Sequence, residues 1–567
     1  MTRAALARWP TTPRPPRSAD ERWADVLAWL LAASLIVCVA WPLASILIKA
    51  METPSGEPAG LGPLLAAAAD PRLRAAMSNS VSLALASTAI VLPLATIFAY
   101  ALTRSCLWGK PVWRGIALSP LLAPSLMPAL SLVYLFGNQG VLKSWLGSAS
   151  IYGPIGIVMG EVFYTFPHAL LIIATSLATA DQRVYEAAET LGAGRVRRFA
   201  TVTLPSARYG LVTAAMVTFT LVVTDFGVPK VIGGTTQVLA LEAYKQVIGQ
   251  QNFNRGAVIG LMLLLPALLS MLAERYVARR QSASLSGRAV LYQPQRNHWR
   301  DALLGLFCLA MAMGLLAMLG TAIVASFIKL WPYQLELTLT HYQFDDVDGG
   351  GWAAFFNSMR LSAATALAGT AAVFLGAYLS AKLPVPMVPA AVIRSVSMLP
   401  MAVPGLVLGL GYIFCFSQPS HPLHGLYGSM TLMVLATIVH FFTTAYLTVG
   451  TALGHIAPEI EAVGRSLRQP WWTGCWRVTL PMVTPALLDA ARFFFVSGMS
   501  TVSAVIFLYT PDTPLASIAV LSMDDAGDTA AAAAMATLIL ATSVVASLGF
   551  GALERVLRQK TQAWRPN

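Results

Sequence analysis

Twelve runs of about twenty apolar residues, parted by short polar segments, constrain this chain more than any other feature. A helix of about twenty residues reaches across the hydrocarbon core of a bilayer. Every backbone group in lipid must bond within its own segment or close a barrel. The runs lack the apolar/polar alternation of barrel strands. The chain therefore reads as an all-α membrane protein with about 12 transmembrane helices. Six spans are expected near 24–48, 79–103, 114–136, 152–177, 206–225 and 256–274, and six more near 301–328, 357–380, 392–416, 428–453, 484–508 and 529–552. Only 11% of residues are charged, against about a quarter in a soluble domain.

Those few charges set an orientation. Lys and Arg accumulate on the cytoplasmic side of membrane proteins. With the N-terminus inside, about 28 of the 38 basic residues fall in cytoplasmic segments. Acidic residues such as Asp345, Asp346, Asp348, Asp524, Asp525 and Asp528 then fall outside. The expected location is a bacterial inner membrane, multi-pass, with both termini cytoplasmic. The net charge of +12 is thus an orientation signal, and no motif supports nucleic-acid binding. Five scattered cysteines show no metal-ligand spacing, so no metal site is expected. The first apolar run is too long for a signal peptide and reads as a retained span.

The chain also repeats itself. Asn79-Ser80 through Ala99-Tyr100 recurs as Asn357-Ser358 through Ala377-Tyr378, and Thr203-Leu204-Pro205 recurs as Thr479-Leu480-Pro481. Tyr152-Gly153 answers to Tyr427-Gly428. An even number of spans per half makes the repeats parallel. The expected organisation is a tail at 1–23, a first half at 24–274, a linker at 275–300, a second half at 301–552 and a tail at 553–567. Both tails and the linker are expected to be cytoplasmic.

One polar segment in each half is long and patterned. In residues 181–205, Val184, Ala187, Ala188 and Leu191 fall on one helical face. Gly192 suits a helix stop and Pro205 the first turn of the next span. A short helix outside the bilayer, with alanines permitting close approach, implies a protein surface against it. The second copy, 458–481, is degenerate. Glu461-Ala462-Val463 leads through Leu467 to Leu480-Pro481, one residue longer than the first copy and without the Gly, with Pro470 as the expected helix breaker.

Glu186-Ala187-Ala188, Gly192, Val202 and Leu204-Pro205 resemble the E-A-A-x3-G-x9-I-x-L-P pattern of binding-protein-dependent ABC importer permeases, with Val202 the conservative departure. The resemblance implies two tandem six-helix MetI-like permease domains. It also implies that the loop docks on an ABC ATPase through Glu186, Ala187, Ala188, Leu191, Gly192, Leu204 and Pro205. Glu461, Ala462, Val463, Leu467, Leu480 and Pro481 would serve the second loop. Two ATPase copies and a periplasmic solute-binding protein are the implied partners, beside lipid and a small-molecule substrate. The chain has no G-x-x-x-x-G-K-[ST] loop. No cofactor is expected on it, and ATP-Mg would be used by the partner ATPase. The fused two-half arrangement is typical of permeases for ferric iron, thiamine and 2-aminoethylphosphonate. Residues 134–140, 224–234 and 246–252 look most like the 2-aminoethylphosphonate branch, with ferric iron or thiamine as alternatives.

Ionisable residues inside spans are costly and often line a path. Asp225, in Thr224-Asp225-Phe226-Gly227, is the leading candidate, and path-lining and structural roles weigh equally for it. For Glu161, His168, His440, Asp489 and Arg492 a structural role is favoured, with Glu161 and Arg492 near interfaces. An ion-coupled secondary transporter would need more such residues. An intramembrane enzyme would need a catalytic constellation that seven histidines without H-E-x-x-H spacing do not offer. The chain is therefore expected to be a transport subunit and not an enzyme.

Overall fold

The computed structural model describes residues 19–561 except 54–55, 179, 282–289, 291 and 458, so the N-terminal tail, the centre of the linker and the end of the C-terminal tail lie outside the described residues. In the first half the spans are α1 (Asp20–Ala50), α2 (Pro71–Arg104), the bent pair α3 (Lys110–Leu122) and α4 (Met127–Phe136), α5 (Pro154–Ala178), α7 (Val196–Thr224) and α10 (Phe253–Gln281). Between them lie the short α6 (Gln182–Thr190), α8 (Gly227–Ile232) and α9 (Leu239–Tyr244). The second half follows the same order. It has α11 (His298–Phe327), a two-stranded hairpin of β1 (Ile328–Leu330) and β2 (Gln334–Leu337), α12 (Gly351–Ala381), and the bent pair α13 (Met387–Ala402) and α14 (Gly405–Phe416). It continues with α15 (Met430–Gly454), α16 (Glu459–Ser466), α17 (Trp471–Ser500), α18 (Ala516–Ala526) and α19 (Thr529–Thr561).

The third span of each half is not the single helix its apolar run suggests. It bends by 100° in the first half and 117° in the second. Pro120 and Pro124 flank one break and Pro400 and Pro404 the other. Each proline removes a backbone donor and clashes with the preceding turn. Each bent pair nevertheless crosses once. Arg104 at the end of α2 donates to the Leu177 carbonyl at the end of α5 (2.7 Å). Near the opposite ends, Asn79 bonds the Gln237 carbonyl and Gly153 bonds Ile232. The helices α2 and α5 are therefore parallel, and α3–α4 must carry the chain from one face to the other. Lys382 donating to the Ile456 carbonyl (2.8 Å) gives the second half the same geometry. Among the described residues, ten long helices and two bent pairs thus make twelve crossings.

The repeated dipeptide Asn-Ser has a structural reason. Ser80 Oγ accepts from the Leu239 amide (3.0 Å) and Ser358 Oγ from the Ala516 amide (2.8 Å). These are the first amides of α9 and α18, which have no partner within their own helices. Asn79 and Asn357 hold the adjoining carbonyls of Gln237 and Pro514. The repeated Thr-Leu-Pro does not start a span, contrary to expectation. The span has already begun at Val196, and Pro205 falls inside it, so residues 196–205 of the docking segment are helical. One widened turn precedes each proline, closed by Leu204 N–H to Phe199 and Leu480 N–H to Cys475. Such a turn is the usual response of a helix to a missing donor.

The halves of the sequence are not the halves of the molecule. The helix α1 packs on α13 and α14 of the second half as well as on α10 of its own, while α11 packs on α2, α3 and α4 of the first half as well as on α19 of its own. Tyr412 donates to the Cys38 carbonyl (2.8 Å) across this contact. Each first span thus bridges the two halves, and the repeats at 24–274 and 301–552 interlock through them.

Candidate functional site: two docking helices on one face

Both short helices α6 and α16 lie on the same face. Trp471, just after α16, donates through Nε1 to the Asp20 carbonyl at the start of α1 (2.9 Å). The other end of α1 meets Asn254 at the start of α10, on the face away from α6.

The helix α6 is capped at both ends. Asp181 accepts from the Arg183 amide at its start. At its end Gly192 has φ +72°, Ala193 N–H bonds Ala188 O, and Gly192 N–H bonds Glu189 O. That is the glycine stop expected from sequence, a paired-bond Schellman end. Val184, Glu186, Ala187 and Leu191 are exposed, Leu191 at 85%. Glu186 accepts from Gln182 (3.1 Å). Leu204 is exposed on the next helix beside Pro205.

The second loop has a different register from the one its sequence suggests. Gln469 N–H bonds Gly464 O, and Arg468 takes the left-handed conformation with φ +52°. Arg468 therefore ends α16 as Gly192 ends α6, and Pro470 stands beyond the stop. Leu191 and Leu467, Gly192 and Arg468, and Leu204-Pro205 and Leu480-Pro481 are then all 276 residues apart, so the loops are equal in length. Glu461 consequently matches Tyr185, not Glu186. The counterpart of Glu186 is Ala462, that of Ala187 is Val463, and that of Ala188 is Gly464. Ala462, Val463 and Leu467 are exposed, so the second loop also presents an apolar face without a partner among the described residues.

Sequence reading missed the residues that hold these helices. Arg104 is buried, with its guanidinium 5.0 Å from the Tyr185 ring and 4.0 Å from the Tyr292 ring. Tyr292 belongs to the linker, whose Val290 carbonyl accepts from Gln182 N–H (2.9 Å). Lys382 takes the place of Arg104 and meets Glu461 at 3.1 Å, both side chains largely buried. One docking helix is thus held by a cation on aromatic rings and the other by an ion pair. The signal that could have found them is a cation at the end of the second span in both halves.

On the opposite face the halves close on one another. Lys230 of α8 meets Asp525 of α18 at 2.9 Å. Burial, with a smaller contribution from Asp525 and against the pull of Lys230, raises the Asp524 carboxyl to about 6. Among the sequence candidates, Asp345 accepts from the Trp352 amide (3.2 Å), a local capping contact. Asp489 and Arg492 pair with one another at 2.7 Å. Glu161 is not at an interface. It is wholly buried in α5, with its carboxyl in hydrogen-bonding contact with that of Asp225 and no other partner for its oxygens among the described residues. Asp225 accepts from the Val228 amide (2.8 Å) and is itself buried. Phe226 packs on Tyr244 with ring centroids 4.8 Å apart. A side chain at Gly227 would come within 2.7 Å of Ser125 Oγ in the break of the third span. The expected path residues Asp225, Phe226 and Gly227 therefore form a closed joint between α7, α8 and the break.

A family model described as binding-protein-dependent transport system inner membrane component matches residues 91–283, which contain α6 and its flanking spans. The molybdenum transport system permease protein ModB of Azotobacter vinelandii is 32% identical over 221 residues, 37% of this chain and 96% of that protein. The chain belongs to the inner-membrane components of binding-protein-dependent transport. The ferric transport system permease protein FbpB of Actinobacillus pleuropneumoniae is 24% identical to this permease over 449 residues, 76% of the chain. The putative ferric transport system permease protein FbpB 1 of Haemophilus influenzae is 25% identical over 411 residues, 70% of the chain. The permease spans 64% of the length of each of these two proteins. These relatives give no support to the expected 2-aminoethylphosphonate specificity.

Proposed function

We propose that this permease is the translocating subunit of an ATP-driven importer. Two copies of an ABC ATPase would seat on α6 and α16, and a soluble binding protein would deliver solute to the opposite face. The observation that carries this reading is the pair of capped, braced helices whose apolar faces have no partner. A helix face of that kind is stable in water only at a cost unless something covers it. The excess of Lys and Arg on the docking face supports placing that face in the cytoplasm. Co-purification tests the docking role: Glu186→Arg with Gly192→Pro should abolish assembly with the ATPase, and retained assembly with full uptake would refute it.

Ferric iron is the solute best supported. Two relatives that match across most of this chain are named for ferric transport. Uptake of labelled ferric iron that depends on this gene, without dependence for 2-aminoethylphosphonate, is the expected result. The reverse pattern would return the solute to the phosphonate class. Asp225 would act in the outer joint that opens during transport. Asp225→Asn should lower uptake while leaving assembly intact, and unchanged uptake would make Asp225 purely structural.

A further inference from the structure

A cavity of about 350 Å³ lies near the docking face of the first half, between the end of α2, the helix α3 and the end of α5. Its walls are apolar, chiefly Leu102, Leu118, Leu170 and Leu171, and its charged lining residues are Lys110 and Arg114. No carboxylate lines it, and neither cation has an acidic partner among the described residues. The two wall hydroxyls, Thr103 and Thr175, donate to Ala99 and Leu171 of their own helices. The free donors at the cavity are therefore both cationic.

The equivalent positions of the second half are built differently. Applying the local offsets of 278 and 275 residues, the counterparts of Leu102 and Leu171 are Ser380 and Tyr446. The hydroxyls of Ser380 and Tyr446 bond at 2.8 Å. Lys110 has Ala390 as its counterpart, and Arg394, the counterpart of Arg114, donates to the Ala390 carbonyl (3.2 Å). In the first half Leu102 and Leu171 offer no such bond, and both cations are unengaged among the described residues.

We propose that this cavity binds the phosphate of an anionic phospholipid, with the phosphate on Lys110 and Arg114 and the first acyl carbons against Leu102, Leu170 and Leu171. Paired cations beside an apolar slot between membrane helices complement an anionic headgroup and its chains. The depth in the bilayer agrees. Trp108 is 91% exposed at the start of α3, and Trp113 lies one helical turn inside. Exposed indoles mark the level of the headgroups. The length of α3 and its sharp bend against α4 let it present both cations, four residues apart, on one side.

Native mass spectrometry of the full chain released from nanodiscs tests this, with phosphatidylglycerol, phosphatidylcholine and inorganic phosphate as probes. Wild type should retain phosphatidylglycerol at least tenfold over phosphatidylcholine and should not retain inorganic phosphate. Lys110→Ala with Arg114→Ala should lose that retention about tenfold. So should Leu171→Tyr, which puts the larger ring found at Tyr446 into the slot while keeping both charges. Arg394→Ala should retain lipid as wild type does. Equal retention of the two lipids, or undiminished retention in Leu171→Tyr, would overturn the proposal. Binding of inorganic phosphate with no lipid retained would assign the site to a soluble anion and overturn the lipid reading.

Discussion

The helices α6 and α16 end in the same left-handed conformation with different residues, and this gives a reciprocal experiment. At Gly192 an added Cβ would meet nothing within 4 Å, so Gly192→Ala changes only the backbone term. A side-chain-bearing residue held in the left-handed region costs roughly 1–2 kcal/mol relative to glycine. Arg468 already carries that cost at φ +52°, and Arg468→Gly removes it. A change of 1.4 kcal/mol is about tenfold in an equilibrium. In the isolated chain, amide exchange reads local opening of each helix. Gly192→Ala should speed exchange over Gln182–Thr190 by about five- to thirtyfold, and Arg468→Gly should slow it over Glu459–Ser466 by a similar factor. Each change should stay confined to its own loop. Equal effects in both loops, or a slowing by Gly192→Ala, would refute the matched register. Faster exchange over Glu459–Ser466 in Arg468→Gly would show that Arg468 contributes through its side chain instead.

Lys382→Met should lower stability by about 3 kcal/mol, since it leaves Glu461 largely buried without its cation; a thermal shift no larger than that of an exposed lysine would contradict the brace. Ser80→Ala and Ser358→Ala should each cost about 1 kcal/mol, and similar losses at the two sites would verify the shared capping role. For Asp524 the folded carboxyl sits near 6, above its unfolded value of 3.8. Folding then takes up a proton between those values, so stability should rise as pH falls from 7 towards 5 and be lost again above 6. A shift of that size is worth about 3 kcal/mol at most, and partial exposure reduces it to about 1–2 kcal/mol. Melting curves at pH 5 and pH 7 should show the difference in wild type and not in Asp524→Asn. Cysteines placed at 230 and 525 should cross-link with the outer face closed, and absence of the cross-link would contradict the contact across the halves.

The sequence by itself determined the class of fold, because lipid leaves so few choices. Long apolar runs must be helices, and their repeat at a near-constant offset must give two like halves. It also determined where the first docking helix stops, since only a residue tolerant of the left-handed region fits at Gly192. Local chemistry was enough for these features. Tertiary contacts decided the rest. Glu461-Ala462-Val463 reads as a copy of Glu186-Ala187-Ala188, yet Lys382 draws Glu461 inward and sets the helix one residue off that match. The third spans read as continuous, yet prolines break them where Ser125 and the Asp225–Gly227 joint meet. The bridging of both halves by α1 and α11 leaves no trace in a linear pattern, because an apolar face does not specify which apolar surface will cover it. That choice was made by shape, through contacts such as Tyr412 on the Cys38 carbonyl.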